Sequence, residues 1–253
     1  MQKATKISGL VITYNEEKNI AAIIENLNFV DELIILDSFS SDKTKEIATS
    51  FSNVTFIQNK FEDFTKQRNL ALSKSKYSWI LFLDADERIP EDLKNEILNE
   101  VKKPKTASAY YFYRKFMFKD KPLHYSGWQT DKNIKLFKKE KAIYRIDRLV
   151  HEKLIIEGSE EKLKNKLIHF SYTDYESYKQ KMINYGNLKA KELFLKNFKP
   201  NLVHFYVKPV YKFLYSYLIR FGIFDGKRGI IICYLNAMSV FVTYQKIKLL
   251  YKE

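Results

Sequence analysis

Glycine is scarce where a nucleotide-binding sheet ordinarily needs it. The chain has seven, and Gly9 is the only one before Gly127. Neither a G-x-G-x-x-G turn nor a P-loop can be assembled in that span, which argues against a dinucleotide fold and against P-loop ATP hydrolysis. Cysteine is scarcer still. Cys233 stands alone, so an intrachain disulfide framework and a thiolate zinc cluster are both excluded, and a reducing compartment is expected. No Gly/Ser/Pro-rich linker, internal repeat or low-complexity tract interrupts the sequence. Long apolar runs are lacking too: Gly229 to Tyr244 is the most apolar stretch, yet it contains Asn236 and stops short of the roughly 20 residues a membrane span requires. The start, Met1-Gln2-Lys3-Ala4-Thr5-Lys6, leads into a strand with no long apolar leader, and a cytoplasmic location is expected.

What is present is enough for a large core: 253 residues, 45% of them hydrophobic, fit one large domain or one domain with an appendage. The net charge of +14 is unevenly spread. Residues 1 to 100 carry 12 Lys and Arg against 17 Asp and Glu, and the remainder carries 32 against 13. Such a split predicts two surfaces with different partners. On electrostatics alone the basic, aromatic-rich second half suits nucleic acid, anionic lipid headgroups or a phosphorylated glycan.

Apolar strands at Ile7 to Ile12, Leu33 to Leu36, Val54 to Ile57 and Trp79 to Leu83 alternate with helical patterns at Glu16 to Leu27, Asp42 to Phe51 and Phe64 to Ser75. The order βαβαβαβ predicts an α/β fold with a parallel sheet and right-handed crossovers. Pro90, followed by Glu91 and Asp92, starts a fourth helix, and Pro104 follows its end.

Chemistry concentrates where these strands end. The run Trp79-Ile80-Leu81-Phe82-Leu83 ends in Asp84-Ala85-Asp86, which puts carboxylates at the open end of a buried strand, where α/β proteins bind ligands. Two carboxylates there suit magnesium or manganese, whose remaining ligands are commonly phosphate oxygens. The first strand is followed by Thr13-Tyr14-Asn15-Glu16-Glu17, and the second ends in Asp37-Ser38-Phe39-Ser40-Ser41-Asp42-Lys43-Thr44. Both turns offer acceptors for a base edge or ribose, and Tyr14 offers a ring. Asn15, Ser41 and Asp42 are equally good helix caps. On the third helix, within Lys66-Gln67-Arg68-Asn69, Arg68 presents a planar fork of donors suited to an anion.

In combination, this ordered series resembles family-two glycosyltransferases of the GT-A fold over at least the first hundred residues. The resemblance implies a GT-A type, Rossmann-like mixed sheet with a parallel core and flanking helices, and an inverting transferase using a nucleotide-diphosphate sugar, UDP-sugar favoured. It implies that Thr13, Tyr14 and Glu16 contact base and ribose, that Asp37 accepts from the base, that Arg68 approaches the diphosphate and that Asp84 faces ribose or sugar hydroxyls. Asp86 becomes the main protein ligand of the divalent cation, manganese or magnesium. Similar branches of the family keep a Val-His-Glu at the base position, which assigns Glu152 as catalytic base and His151 as a further metal ligand or an orienter of the diphosphate. The Gly127-Trp128 pair, the segment Lys135 to Lys139 and the turn Phe224-Asp225-Gly226-Lys227 resemble the branch that builds lipopolysaccharide core, with Trp128 a candidate to stack on a sugar face.

The expected organisation is therefore residues 1–104 for the nucleotide-sugar half, 105–175 for the acceptor half with the base, and 176–253 for a basic helical region. Tyr206, Tyr211, Phe213, Tyr215 and Tyr217, interleaved with Lys208, Lys212 and Arg220, suit helices lying in a headgroup layer, so peripheral attachment to the inner membrane face is expected; packing on the sheet or a dimer interface is the alternative. Glucose is the expected sugar, and a phosphorylated glycan or glycolipid the acceptor. Two other readings compete: a basic nucleic-acid binder, against which the acidic first half stands, and a haloacid-dehalogenase-type phosphatase, in which Asp-x-Asp would end the first strand rather than the fourth.

Overall fold

The computed structural model describes residues 5–119, 121–148, 151–172 and 174–252. In chain order the elements are β1 (Ile7–Thr13), α1 (Ile20–Asn26), β2 (Glu32–Asp37), α2 (Thr44–Thr49), β3 (Val54–Gln58), α3 (Phe64–Lys74), β4 (Trp79–Asp84), β5 (Glu87–Arg88), α4 (Glu91–Glu100), β6 (Ala109–Phe118), β7 (Lys121–Leu123), β8 (Lys132–Lys138), β9 (Ala142–Arg148), β10 (His151–Ile156), β11 (Glu160–Tyr172), α5 (Tyr175–Leu195), α6 (Leu202–Leu214) and α7 (Gly226–Leu250). The main sheet runs β3-β2-β1-β4-β8-β6-β11-β5, with β7 paired to β6; β9 and β10 form a separate antiparallel pair.

The parallel core is β3-β2-β1-β4, as the alternating pattern predicts. β1, β2 and β4 are buried on both faces over most of their length, which is why they read as near-continuous apolar runs, whereas the edge strand β3 is only partly buried, with Thr55 exposed. Trp79, Leu81 and Leu83 of β4 pack with Ile20, Ile23 and Ile24 of α1 and with Leu93 and Ile97 of α4. Ile80 and Phe82 point the other way, into a cluster with Leu10, Ile34 and Ala71. β8 then joins β4 antiparallel and makes the sheet mixed.

Register decides what meets at the carboxyl ends. Thr13 pairs with Asp37 and Asp37 with Gln58, so these three form one polar row across the ends of β1, β2 and β3, while Asp84 pairs with Ile12, one position short of that row and on the other face of the sheet. Three helices start where their caps direct: Asp63 accepts from the Lys66 N–H at 2.8 Å, Asp174 from Ser177 at 2.8 Å, and Pro90 precedes an α4 whose first turn carries Glu91 and Asp92. The first helix begins at Ile20 rather than Glu16, because residues 14–19 form a turn in which Asn15 adopts a left-handed φ of 55°.

By contacts the described chain forms two compact units. One contains residues 1–114 and 132–169, and the other 115–131 and 170–253. In the second unit Phe116, Phe118, Leu123, Tyr178, Met182, Ile232 and Leu235 form the core. There α5 approaches α7 closely: a Cβ on Gly186 would lie 2.8 Å from the Ser239 carbonyl, so a larger residue would force the helices apart. The turn at Asp225 is an anchor. Its buried carboxylate accepts from the backbone N–H groups of His124 and Tyr125, at 2.9 and 3.0 Å, and from the Ser126 hydroxyl at 3.1 Å.

The apolar stretch noted in the sequence extends further as a helix than its composition suggested. Among the described residues one helical stretch, Gly222–Leu250, is long and apolar enough to cross a membrane by length and composition, with a mean hydropathy of 1.3 over its best window; 39% of that window is buried within the protein.

Candidate active site

The site is built on the first unit, at the carboxyl ends of β1, β2 and β4. Asp37 is fully buried there and accepts from Thr13 Oγ1 at 3.1 Å, the Ser40 backbone N–H at 2.9 Å, Gln58 Nε2 at 3.2 Å and the Ser40 hydroxyl. A buried carboxylate is tolerated only with such a set of donors. The two turns flanking it are clasped together. Asn15 N–H donates to Ser40 Oγ at 2.8 Å, Glu16 N–H to Thr44 Oγ1 at 2.8 Å, and Glu17 N–H to Asp42 Oδ2 at 3.0 Å. Tyr14 and Phe39 ride on this clasp with their rings 61% and 55% exposed. Phe39 has a left-handed φ of 59°, a conformation non-glycine residues rarely adopt. Sequence reading singled out Tyr14 and passed over Phe39, though both occupy equivalent strand-to-helix turns.

The Gln-Arg-Asn motif on α3 divides into three tasks. Gln67 is buried and links the second turn to β3's end: its Nε2 donates to Ser38 Oγ at 3.1 Å and its Oε1 accepts from Asn59 at 2.9 Å. Asn69 bonds both backbone groups of Tyr144 in β9, at 2.9 and 3.1 Å. Arg68 lies over the rings of Phe82 and Tyr144, 4.9 and 5.6 Å from their centroids, and donates to Asp84 Oδ1 at 3.0 Å.

The two acids of Asp-x-Asp stand in different surroundings. Asp84 Oδ2 accepts from Lys135 Nζ at 2.8 Å while Arg68 holds Oδ1, so the carboxylate is fixed from both sides. Burial alone would raise its pKa, but Lys135 and Arg68 outweigh burial and hold the carboxyl well below the usual range. Lys135 also donates to Glu87 Oε2 at 2.6 Å, and the same oxygen accepts the Asp84 backbone N–H at 3.0 Å. Glu87 is wholly buried, and burial, with Asp84 adding to it, pushes its carboxyl upward against the pull of Lys135. Its other oxygen, Oε1, has no hydrogen-bond partner among the described residues; Arg114 Nη1 stands 3.8 Å away. Asp86 lies outside this cluster. Its Oδ2 is 3.2 Å from His169 Nε2, and its side chain remains 24% exposed.

Neither Lys135 nor His169 was assigned a role from sequence. Lys135 carried a signal, being a lysine two residues from buried Phe137 on a strand where alternate residues share a face. His169 carried none. The antiparallel pairing of β11 with β5, which sets His169 against Glu87, brings it to the site.

Glu16 stands nearby, accepting from Asn19 Nδ2 at 2.8 Å. Burial raises its pKa, and the charges of Asp86 and Asp42 add to the effect. A carboxylate whose folded pKa lies above its unfolded one destabilises the fold at pH above both values, and the penalty vanishes as both states protonate. Glu16→Gln is therefore expected to melt higher than the parent at pH 7 and level with it near pH 3; parallel thermal melts at the two pH values check this.

Residues 8–183 match the model of glycosyl transferase family 2. The chain belongs to that family. Among family relatives, it is 24% identical over 247 residues to the lipopolysaccharide core biosynthesis glycosyltransferase LpsC of Rhizobium meliloti (strain 1021), covering 95% of this chain and 91% of LpsC. It is 26% identical over 257 residues to an uncharacterized glycosyltransferase of Rickettsia bellii (strain RML369-C), covering 96% and 86%. The crystal structure of S. aureus TarS 1-349 in complex with UDP-GlcNAc superimposes with a TM-score of 0.52 at 14% identity, covering 98% of this chain and 92% of that one. This last likeness concerns the fold, and it agrees with the GT-A architecture expected from the motifs. The family match includes the Asp-x-Asp strand, so that motif belongs to a glycosyltransferase rather than to a phosphatase, and the enzyme resembles those of lipopolysaccharide core synthesis.

Of the expected family-2 site residues, Thr13, Tyr14, Glu16, Asp37, Arg68, Asp84 and Asp86 all belong to the first unit. Trp128 belongs to the second, its ring 4.1 Å from that of Phe116 by centroids. His151 and Glu152 begin β10, opposite Arg148 and Ile146, with an irregularity between them; their side chains lie outside the described residues. Among the described residues no group of three or more His, Cys, Asp and Glu is arranged to hold a metal ion.

Proposed function

We propose that this family-2 enzyme moves a hexose, glucose being the first candidate, from a nucleotide-diphosphate sugar to a phosphorylated, membrane-held glycan such as lipopolysaccharide core, with inversion at the anomeric carbon. The observation that carries the donor reading is the asymmetry of Asp84 and Asp86. A carboxylate already held by Lys135 and Arg68 suits a fixed acceptor for ribose or sugar hydroxyls. Asp86, beside His169, suits a cation. Magnesium and manganese need only one or two protein ligands when a substrate diphosphate supplies others, so the Asp86–His169 pair fits such an ion even without a three-residue cluster. When bound, that cation would neutralise charge developing on the leaving diphosphate.

In this reading the exposed Tyr14 ring covers the base, Thr13, Glu16 and Asp37 form its polar surround, and Arg68 adds positive charge toward the diphosphate. UDP is the first nucleotide to test, because TarS, of similar fold, was solved with UDP-GlcNAc. Glu152 is the proposed base: it takes the proton from the acceptor hydroxyl as that oxygen bonds to the anomeric carbon and the bond to the diphosphate breaks. His151 orients the diphosphate or adds a metal ligand, and Trp128 offers its ring to a sugar of the acceptor. The 24% identity to LpsC supports a lipopolysaccharide-type acceptor, and the basic second unit supports work at the cytoplasmic face of the inner membrane.

Glu152→Gln tests the mechanism. It is expected to bind donor as the parent does while kcat falls on the order of 10²–10⁴-fold, the scale of a lost general base. Parallel binding and transfer assays with UDP-glucose measure both. Unchanged kcat would remove Glu152 from the base position.

A further inference from the structure

The second unit exposes an apolar surface that its own core does not use. α6 carries no buried residue although ten of its thirteen residues are apolar or aromatic. Val203, Tyr206, Val207, Val210 and Leu214 recur at helical spacing, a stripe of the kind that ordinarily faces a core, and every one of them is exposed. The opposite side is already occupied: Phe205 packs against Tyr244 of α7, ring centroids 6.2 Å apart. An amphipathic helix whose inner side is satisfied and whose outer side is apolar has a partner elsewhere.

Charge identifies that partner. From Lys199 to Lys252 the chain has nine Lys and Arg and a single acid, Asp225, which is buried in its turn. At the amino end of α6 and the carboxyl end of α7 a cleft of about 720 Å³ opens, in which Lys199, Lys248 and Lys252 surround Leu202, Phe205 and Tyr206. Lys248 Nζ lies 5.9 Å from the Phe205 ring centroid and Lys199 Nζ 6.0 Å from that of Tyr251. None of the three lysines pairs with a carboxylate among the described residues. Ammonium groups around an apolar floor, next to an exposed apolar stripe, match the two halves of an anionic lipid: a phosphate and the start of its acyl chains. A second copy of this chain matches less well, since two such surfaces would bring like charges together.

We propose that the α6 stripe and the Lys199–Lys248–Lys252 cleft form a docking surface for an anionic bilayer, with the cleft taking a phospholipid headgroup phosphate. The inference rests on the reading that the enzyme works at a membrane, and it specifies where on the chain the contact is made.

The test is sedimentation with sucrose-loaded vesicles of phosphatidylcholine alone and of phosphatidylcholine with phosphatidylglycerol, using the full chain. Two variants are compared with the parent: Lys199→Gln/Lys248→Gln/Lys252→Gln and Tyr206→Ser/Val207→Ser/Val210→Ser. All six positions are exposed, and an unchanged helical circular-dichroism signal confirms folding. The parent is expected to prefer the phosphatidylglycerol vesicles. Each lysine near an anionic surface contributes roughly fivefold, so the lysine variant is expected to bind on the order of a hundredfold more weakly to them. The stripe variant is expected to lose binding to both compositions. A lysine variant that binds like the parent would overturn the cleft while leaving membrane attachment standing. A parent that ignores both vesicle types overturns the whole surface, as does a parent dimer that the stripe variant converts to monomer. Donor binding, measured separately with UDP, reports on the transferase reading independently of either result.

Discussion

Lys135→Met is expected to destabilise the protein by about 3–5 kcal/mol, the cost of stranding a buried charge by removing its partner. Lys135 is nearly inaccessible, with 5% of its side chain exposed, and it neutralises two carboxylates at once, Asp84 at 2.8 Å and Glu87 at 2.6 Å. Without it Glu87 would keep Arg114, at 3.8 Å, as its nearest cation. The double variant Lys135→Met/Glu87→Gln removes the stranded charge as well and is expected to recover most of that stability, because buried ion pairs exchanged for neutral groups are often close to neutral. Donor affinity should not recover with it. Asp84 would then be held by Arg68 alone, and its backbone N–H would face an amide in place of a carboxylate. Denaturant melts and UDP titrations on the two variants separate the roles. If affinity returns together with stability, the cluster serves the fold and not the orientation of Asp84.

Asp86→Ala is expected to have the largest effect on activity, a loss on the order of a thousandfold or more, the scale of removing a preorganised charge-stabilising group from an active site. Stability should change little, since Asp86 stands partly exposed outside the buried cluster. Asp84→Ala should behave in the opposite proportion. It leaves Lys135 with Glu87 as its remaining carboxylate and takes from Arg68 its ion pair with Asp84, so folding suffers together with activity. His169→Ala, by removing the neighbour of Asp86, should weaken manganese dependence before it weakens nucleotide affinity. Thermal melts beside steady-state transfer assays distinguish these patterns.

Most of the parallel core was legible because β1, β2 and β4 are buried on both faces. Runs such as Ile80 to Leu83 admit no polar interruption, and the helices between them show their faces through Ile20, Ile23 and Ile24. Polar turns at the carboxyl ends were legible for the same reason, as abrupt changes from apolar to charged residues. Their partners were not. The four donors on Asp37 come from three turns or strands, and nothing local to Asp37 announces Gln58. The difference between Asp84 and Asp86 was hidden more deeply, since it depends on the antiparallel register that sets Leu81 against Leu136 and so carries Lys135 toward Asp84, 51 residues away. His169 enters through another long-range pairing. In the second unit the aromatic and basic composition was plain, but which side of α6 stays uncovered depends on how α7 packs, which a helical pattern rich in apolar residues all round does not disclose.

The central claim is that the carboxyl ends of β1, β2 and β4 form a cation-assisted nucleotide-diphosphate site. Calorimetric titration of UDP into the protein, with and without manganese, on the parent and on Asp86→Ala, tests it most directly. The account predicts tight binding to the parent only with manganese, and loss of the manganese effect in the variant. Equal binding with and without the ion in both proteins would contradict the role given to Asp86, and no binding of UDP or any other nucleotide by the folded parent would contradict the site itself.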